Sequence, residues 1–259
     1  MRLMARLSIM TYNVWGAHLW PDRRDALTAV LRRSLPDILL LQEVTPDIIA
    51  CIEEALPSHA HVDGPGDIKG WSSESQIFWN RETFLCVNHG FVSYESAEYP
   101  YRGLFWARLQ LASHDSMRIV VSTVHLPWAG SKTELETGVN MRVATLGPVV
   151  KALSSIVEPT DLASFIGGDF NEDFHPIRIL NAAGYTDVFK LCDVRAPITH
   201  PNRPSAPEEE RCSDRTLDWI LCSMPATCRV LSCMVKTERG GFPPPSDHMP
   251  VLAVLELMR

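Results

Sequence analysis

The chain has 259 residues, 46% hydrophobic and 21% charged, which is enough apolar material for one large packed domain or two small ones. A formal net charge of -7 removes the global basic field of a non-specific nucleic-acid binder but leaves room for an enzyme whose cations are local. Seven cysteines without a C-x-x-C pair read as free thiols of a reducing, cytoplasmic setting, and no stretch reaches the roughly 18 apolar residues of a membrane span.

Leu7 to Val14 is a β-rich run that carries Asn13 near its end, with Gly16 as punctuation. Asp22 to Leu35 has helical spacing, with Ala26, Val30 and Leu31 on one face and Pro36 beyond the end. Asp37 to Val44 is a continuous apolar run closing on Gln42-Glu43, as expected of a strand buried on both faces. Thr45-Pro46 form an N-cap and first helical position, and that helix runs to about Leu56. His59 to Gly70 reads as loop. Strands follow over Gln76 to Trp79, Phe84 to Tyr94, Leu104 to Leu111 and Met117 to His125. Leu135, Val139, Leu146, Val149 and Leu153 predict one helix, bent near Pro148. Leu162 to Ile166 is a strand and Pro176 to Ala183 a short helix. Arg195 to Arg215, with its prolines and glutamates, reads as an exposed, mobile loop. Thr216 to Cys222, Arg229 to Val235 and Val251 to Leu257 are the last strands. With no linker or repeat, and with many strands next to strands, the pattern predicts a single α/β domain over 1–259 built on two sheets.

Polar residues punctuate these apolar runs. Glu43, directly after its run, suits a Mg²⁺ site, which needs one or two carboxylates plus waters and substrate phosphate; a carboxylate merely leading into the next helix is the plain alternative. Asn13 can orient such a ligand or serve as a turn residue. Asp169 and Asn171, at i and i+2 of an extended segment after Gly167-Gly168, point the same way. Asp169 can take a proton from water and Asn171 can hold a phosphate oxygen, unless the pair is a simple Asx-turn. Asp218 lies inside an apolar strand and needs a partner, and His248 can supply it. Asp247 stands beside that histidine on the metal side. His125 ends Ile119 to Val124, where an imidazole can stabilise charge or protonate a leaving oxygen. The other histidines are expected on surfaces and loops.

In order, Tyr12-Asn13, Leu41-Gln42-Glu43-Val44, Thr123-Val124-His125-Leu126, Gly168-Asp169-Phe170-Asn171, Leu217-Asp218-Trp219-Ile220 and Ser246-Asp247-His248 resemble the endonuclease/exonuclease/phosphatase superfamily, the DNase I-like group of metal-dependent phosphoesterases. The resemblance implies a four-layer α/β sandwich, two packed mixed β-sheets flanked by helices. It implies Mg²⁺ or Mn²⁺ at Glu43, with Asn13 close by and Asp247 supporting the metal and water network. Asp169 would orient or deprotonate water, Asn171 would contact the scissile phosphate, and His248 paired with Asp218 would stabilise the transition state, with His125 assisting. Arg102 is a candidate phosphate contact. Trp128, like Trp15, Trp20 and Trp71, is a candidate for stacking on a substrate or, equally, for the core. The Tyr-x-Pro-Asn stretch of apurinic endonucleases and the Trp-Thr-Asp-Arg-Ile pattern of inositol polyphosphate 5-phosphatases are absent. The Thr-x-His-Leu form is similar to tyrosyl-DNA phosphodiesterases, deadenylases and neutral sphingomyelinases. The expected protein is a monomeric phosphodiesterase or nuclease acting on nucleic acid or a small phosphodiester away from membranes, with a phosphomonoesterase as the alternative.

Overall fold

The computed structural model describes residues 4–63, 70–202, 213–223, 227–236 and 243–258. Its first half contains β1 (Met4–Asn13), α1 (Arg24–Ser34), β2 (Ile38–Gln42), α2 (Pro46–Ala55), β3 (His59–His61), α3 (Gly70–Ser73), β4 (Ser75–Asn80), β5 (Phe84–Ser93), β6 (Gly103–Leu111) and β7 (Arg118–His125). Then come α4 (Lys132–Thr137), α5 (Met141–Ile156), β8 (Ala163–Asp169), α6 (His175–Ala182), β9 (Tyr185–Asp187), α7 (Val188–Leu191), β10 (Asp218–Ser223), β11 (Cys228–Val235) and β12 (Val251–Met258).

Two six-stranded mixed sheets result, ordered β11-β12-β1-β2-β4-β3 and β5-β6-β7-β8-β10-β9. Each has one parallel pair at its centre, β1 with β2 and β7 with β8. Parallel neighbours need a crossover. Here α1 lies between the first pair and α4 with α5 between the second. Both strands of each pair therefore end on the same edge of their sheet.

Alternation along the strands fills two layers. Leu7, Ile9, Ile38 and Leu40 join Ile119, Val121, Phe165 and Ile220 in the core between the sheets. Met10, Tyr12, Leu39 and Leu41 face outward onto Leu27, Val30 and Leu31 of α1 and Ile48 and Ile52 of α2. Thr45 caps α2 by accepting from the Ile48 amide. Gln42, fully buried between the sheets, donates to Thr11 Oγ1 at 3.1 Å and Thr123 Oγ1 at 2.7 Å. This is a polar stitch just behind the strand ends.

Several sequence expectations are corrected. The single helix bent at Pro148 is two helices: Gly138 ends α4 in the left-handed region at φ 67°, and Asn140 starts α5 by accepting from the Arg142 and Val143 amides. Pro148 is accommodated within α5. The loop expected over His59 to Gly70 begins with edge strand β3, and residues 64–69 lie outside the described residues. Within Arg195 to Arg215, residues 203–212 lie outside the described residues, but the flanks are ordered: Thr199 is fully buried and His200 bridges to Arg215. Trp71 and His59 are core residues. The six described cysteines are free thiols, and Cys212 is outside the described residues. Among the described residues no helix is long and apolar enough to cross a membrane.

Gly167 and Gly168 set the spacing at the centre. A Cβ on Gly167 would lie 2.8 Å from Leu40 Cδ1 in the opposite sheet; on Gly168, at φ +152°, it would lie 1.9 Å from the Val124 carbonyl oxygen. Gly168→Ala is expected to cost roughly 3 kcal/mol or more through strain and overpacking. Gly147→Ala, in α5 where a Cβ meets nothing within 4 Å, is expected to stabilise by about 0.5–1 kcal/mol. Denaturant titration of both variants checks the contrast.

Candidate active site

The ends of β1, β2, β7 and β8 meet at one edge of the sandwich. Asn13 is fully buried there. Its Nδ2 donates to Glu43 Oε1 at 2.9 Å and to Asp169 Oδ2 at 3.0 Å. The Trp15 amide donates to its Oδ1 at 3.0 Å, which fixes which end of the side-chain amide faces the carboxylates. Glu43 sits just past β2 in the left-handed region at φ 56°, a strained conformation for a glutamate.

Asp169, 2% exposed, is where the groups converge. Its Oδ1 accepts from the Asn171 amide at 2.9 Å. Its Oδ2 takes Asn13, and the Nε2 atoms of His125 and His248 stand 3.6 Å and 3.7 Å away. Those two separations are too long for direct hydrogen bonds, so both imidazole edges open on a shared space beside one carboxylate. The extended segment expected through Asn171 is corrected: β8 ends at Asp169, the Asp169–Asn171 bond closes an Asx-turn, and Asn171, left-handed at φ 52°, gives its Nδ2 to the Leu126 carbonyl at 2.9 Å.

Each imidazole is oriented from behind. His248 Nδ1 meets Asp218 Oδ2 at 2.8 Å, both groups buried. Burial alone would push the imidazole pKa down. The carboxylates of Asp218, Asp169 and Asp247 outweigh it and hold His248 well above the ordinary value. His125 Nδ1 meets Glu74 Oε1 at 2.6 Å. Burial works against ionised Glu74, but His125 and Arg102 more than compensate and keep its pKa low. Glu74 had no sequence signal: Ser75-Gln76 separate it from the apolar residues of β4, so it marks no end of an apolar run.

Arg102 lies against Glu74 at 3.2 Å, donates to the Leu126 carbonyl and stacks on Tyr99. Its guanidinium thus supports the histidine's partner. Trp128, 53% exposed, lies on the loop after β7. Asp247 Oδ2 stands 3.6 Å from His200 Nε2, and the His200 and His248 rings are 4.6 Å apart. His200, expected on a loop surface, belongs to this site.

Arg23 is the second residue without a sequence signal. Fully buried, it donates to the carbonyls of His18, Pro245, Trp15 and Gly16. Ser246 Oγ donates to the Asn13 carbonyl at 2.7 Å. Together they tie the loop after β1 to the loop that carries His248. Beside Asn171 opens a cleft of about 830 Å³, with Arg195, Arg215, Asp173 and Asp214 among its lining residues.

The donor set fits a hard cation at Glu43. Asn13 holds Oε1, the side chain is 33% exposed, and Oε2 faces Gly16, where even a Cβ would stay 3.6 Å away. A single carboxylate with room around one oxygen suits an ion that keeps most of its waters. Asn13 contributes by holding Glu43, since its own oxygen accepts from Trp15.

A family model described as the endonuclease/exonuclease/phosphatase family matches residues 10–248. No curated protein matches the chain significantly. Among solved structures, TDP2 of D. rerio complexed with a single-strand DNA product is similar at a TM-score of 0.78 and 18% identity, covering 97% of this chain and 99% of that one. An endonuclease/exonuclease/phosphatase family protein from Bacteroides thetaiotaomicron is similar at 0.77 and 20%, covering 98% and 99%. A mannosyl-6-phosphatase of Bacteroides thetaiotaomicron VPI-5482 is similar at 0.75 and 20%, covering 96% and 99%. At these identities the structures speak for the fold.

Two outcomes follow from the orienting carboxylates. Asp218→Asn removes a charge that raises the His248 pKa, so the alkaline fall of kcat is expected to move to lower pH, with kcat down by about 10²-fold or more. Stability linked to protonated His248 is complete below the ordinary imidazole range and is lost as pH rises through the raised folded-state value. The Tm gap between wild type and Asp218→Asn should accordingly narrow at high pH. Rate and melting profiles against pH check both.

Proposed function

The chain belongs to the endonuclease/exonuclease/phosphatase family, and from that premise we propose that it is a Mg²⁺-dependent phosphodiesterase that hydrolyses a phosphate ester by in-line attack of water. The observation that carries this reading is the convergence on Asp169: one buried carboxylate, braced by Asn13 and the Asn171 amide, faced by two imidazole Nε2 atoms at 3.6 and 3.7 Å. In this reading Asp169 Oδ2 accepts the proton of the attacking water. His248, charged through Asp218, donates to a non-bridging phosphate oxygen, and His125 does so from the other side or protonates the leaving oxygen. Asn171 turns its amide from Leu126 to the phosphate. A divalent cation at Glu43 supplies Lewis-acid polarisation of the phosphoryl group when bound. Asp247 helps hold the surrounding water.

Because the groups come from both sheets, this reading takes residues 1–259 as one catalytic domain, acting as a monomer in the cytoplasm. Trp128 and the cleft beside Asn171 are proposed to meet the alcohol side of the ester. Phosphomonoester hydrolysis stands as the second reading. The mixed charges of that cleft suit a polar small molecule as well as a nucleic-acid strand, and a neighbour in fold is a mannosyl-6-phosphatase.

A panel of 5′-tyrosyl DNA, single- and double-stranded DNA, RNA, cyclic dinucleotides and sugar and nucleotide monophosphates, with Mg²⁺ or Mn²⁺, is expected to show diester turnover. Turnover of monoesters alone selects the second reading. EDTA is expected to abolish activity, as are Asp169→Ala and His248→Ala, each by about 10³-fold or more. Undiminished rates in both variants would overturn the assignment.

A further inference from the structure

We propose that His200, Asp247 and His248, at the edge of the active site, form a second cation site that takes a transition-metal ion of the Zn²⁺ class. The three residues each offer one ligand atom, and these atoms lie within 4.8 Å of one another. His200 Nε2 and Asp247 Oδ2 are 3.6 Å apart, close to the edge of roughly 3.4 Å expected between ligands of a tetrahedral zinc ion. With His248 Nδ1 bound to Asp218, Nε2 is the nitrogen that faces a cation, an arrangement in which a carboxylate behind the ring fixes its orientation and strengthens it as a ligand.

The site is also held from the backbone. His200 and Arg215 exchange both amide bonds at 2.9 Å, the Met249 amide donates to the Thr199 carbonyl, and the His248 amide donates to Ser246 Oγ. Thr199 Oγ1 in turn accepts from the Leu217 and Asp218 amides. The backbones that carry the two rings, whose centroids are 4.6 Å apart, are thus held together without a metal. Little chain ordering remains to oppose binding.

Donor chemistry separates this site from Glu43. Two imidazoles and one carboxylate favour Zn²⁺ or Co²⁺, whereas a lone, open carboxylate favours Mg²⁺. An ion on His248 Nε2 occupies the nitrogen that faces Asp169 Oδ2. On the hydrolase reading above, such an ion competes with the phosphate and inhibits the enzyme.

The test uses Co²⁺ as a spectroscopic stand-in, added to the metal-stripped full chain. Wild type is expected to give the visible bands of four-coordinate cobalt without a thiolate charge-transfer band, so that its cysteines are excluded as ligands. His200→Asn and Asp247→Asn, checked for folding by thermal melting, are expected to bind Co²⁺ and Zn²⁺ at least tenfold more weakly. In wild type, NMR of the histidine rings during Zn²⁺ addition must move His200 and His248. Only the pale six-coordinate spectrum in wild type, or undiminished binding in His200→Asn, overturns the site. Zn²⁺ is expected to inhibit Mg²⁺-supported turnover of wild type. Wild-type turnover that persists with the site filled by Zn²⁺ removes the inhibitory role. If wild type turns over no ester at all, the hydrolase reading falls, while the cobalt spectrum still decides the metal site.

Discussion

One side-chain amide holds the two halves of the site together. Asn13 Nδ2 lies between Glu43 Oε1 of one sheet and Asp169 Oδ2 of the other, and the Trp15 amide pins its oxygen. Without that donor, two carboxylates would face each other in a largely dehydrated space. A positive side chain there would satisfy them too strongly and fill the volume. A neutral amide spaces them and leaves Glu43 Oε2 free. This geometry requires β1 and β8 to be close at their ends, and hence the absence of a side chain at Gly167, where a Cβ would meet Leu40 and Thr11 of the other sheet. That glycine and the asparagine are one constraint seen from two sides.

Charge in the rest of the site alternates. Asp218, His248, Asp169 and His125 run in sequence to Glu74 and Arg102, each neighbour of opposite or complementary character. Such chains are costly to bury unless every member is paired. The pairing explains why His248 holds its proton and Glu74 its charge against the desolvation of each. It also means that both imidazoles are oriented from behind. Asp218 opens β10, and Glu74 and Arg102 stand just before β4 and β6.

The strand-end residues were legible because strands have a short period. An apolar run that stops at a polar residue announces both the strand and its mouth, and so marks Asn13, Glu43, His125 and Asp169 in the sequence. Asp218 was legible for a different reason: an acid inside an apolar run demands a partner. Glu74, Arg23 and His200 carried no such mark. Glu74 meets a histidine 51 residues away and Arg23 a carbonyl 222 residues away, and both contacts depend on how the sheets and loops close. The break between α4 and α5 was misplaced because Pro148 is conspicuous. Gly138 and Asn140, an exit and an entry signal in close succession, decide the chain's path.

The topology also divides labour. Each sheet centres on one parallel pair, and a parallel pair brings two strand ends to the same edge. Packing two such sheets brings four ends together, enough to hold a carboxylate, an amide, an imidazole and a second carboxylate within a few ångström. The connections that leave those ends must be long, because parallel pairs need crossovers. The Asn140–Arg142 turn lies on such a crossover, and the segments around Arg195 and Arg215 lie on the similarly long passage from α7 to β10; together they wall the cleft. Changes in these segments can alter what enters without moving Asp169, whose contacts come from Asn13, the Asn171 amide and two braced histidines. On the proposed function, the contacts that brace Asp169 are therefore largely separate from the segments that wall the cleft, and Asn171 is the residue that belongs to both.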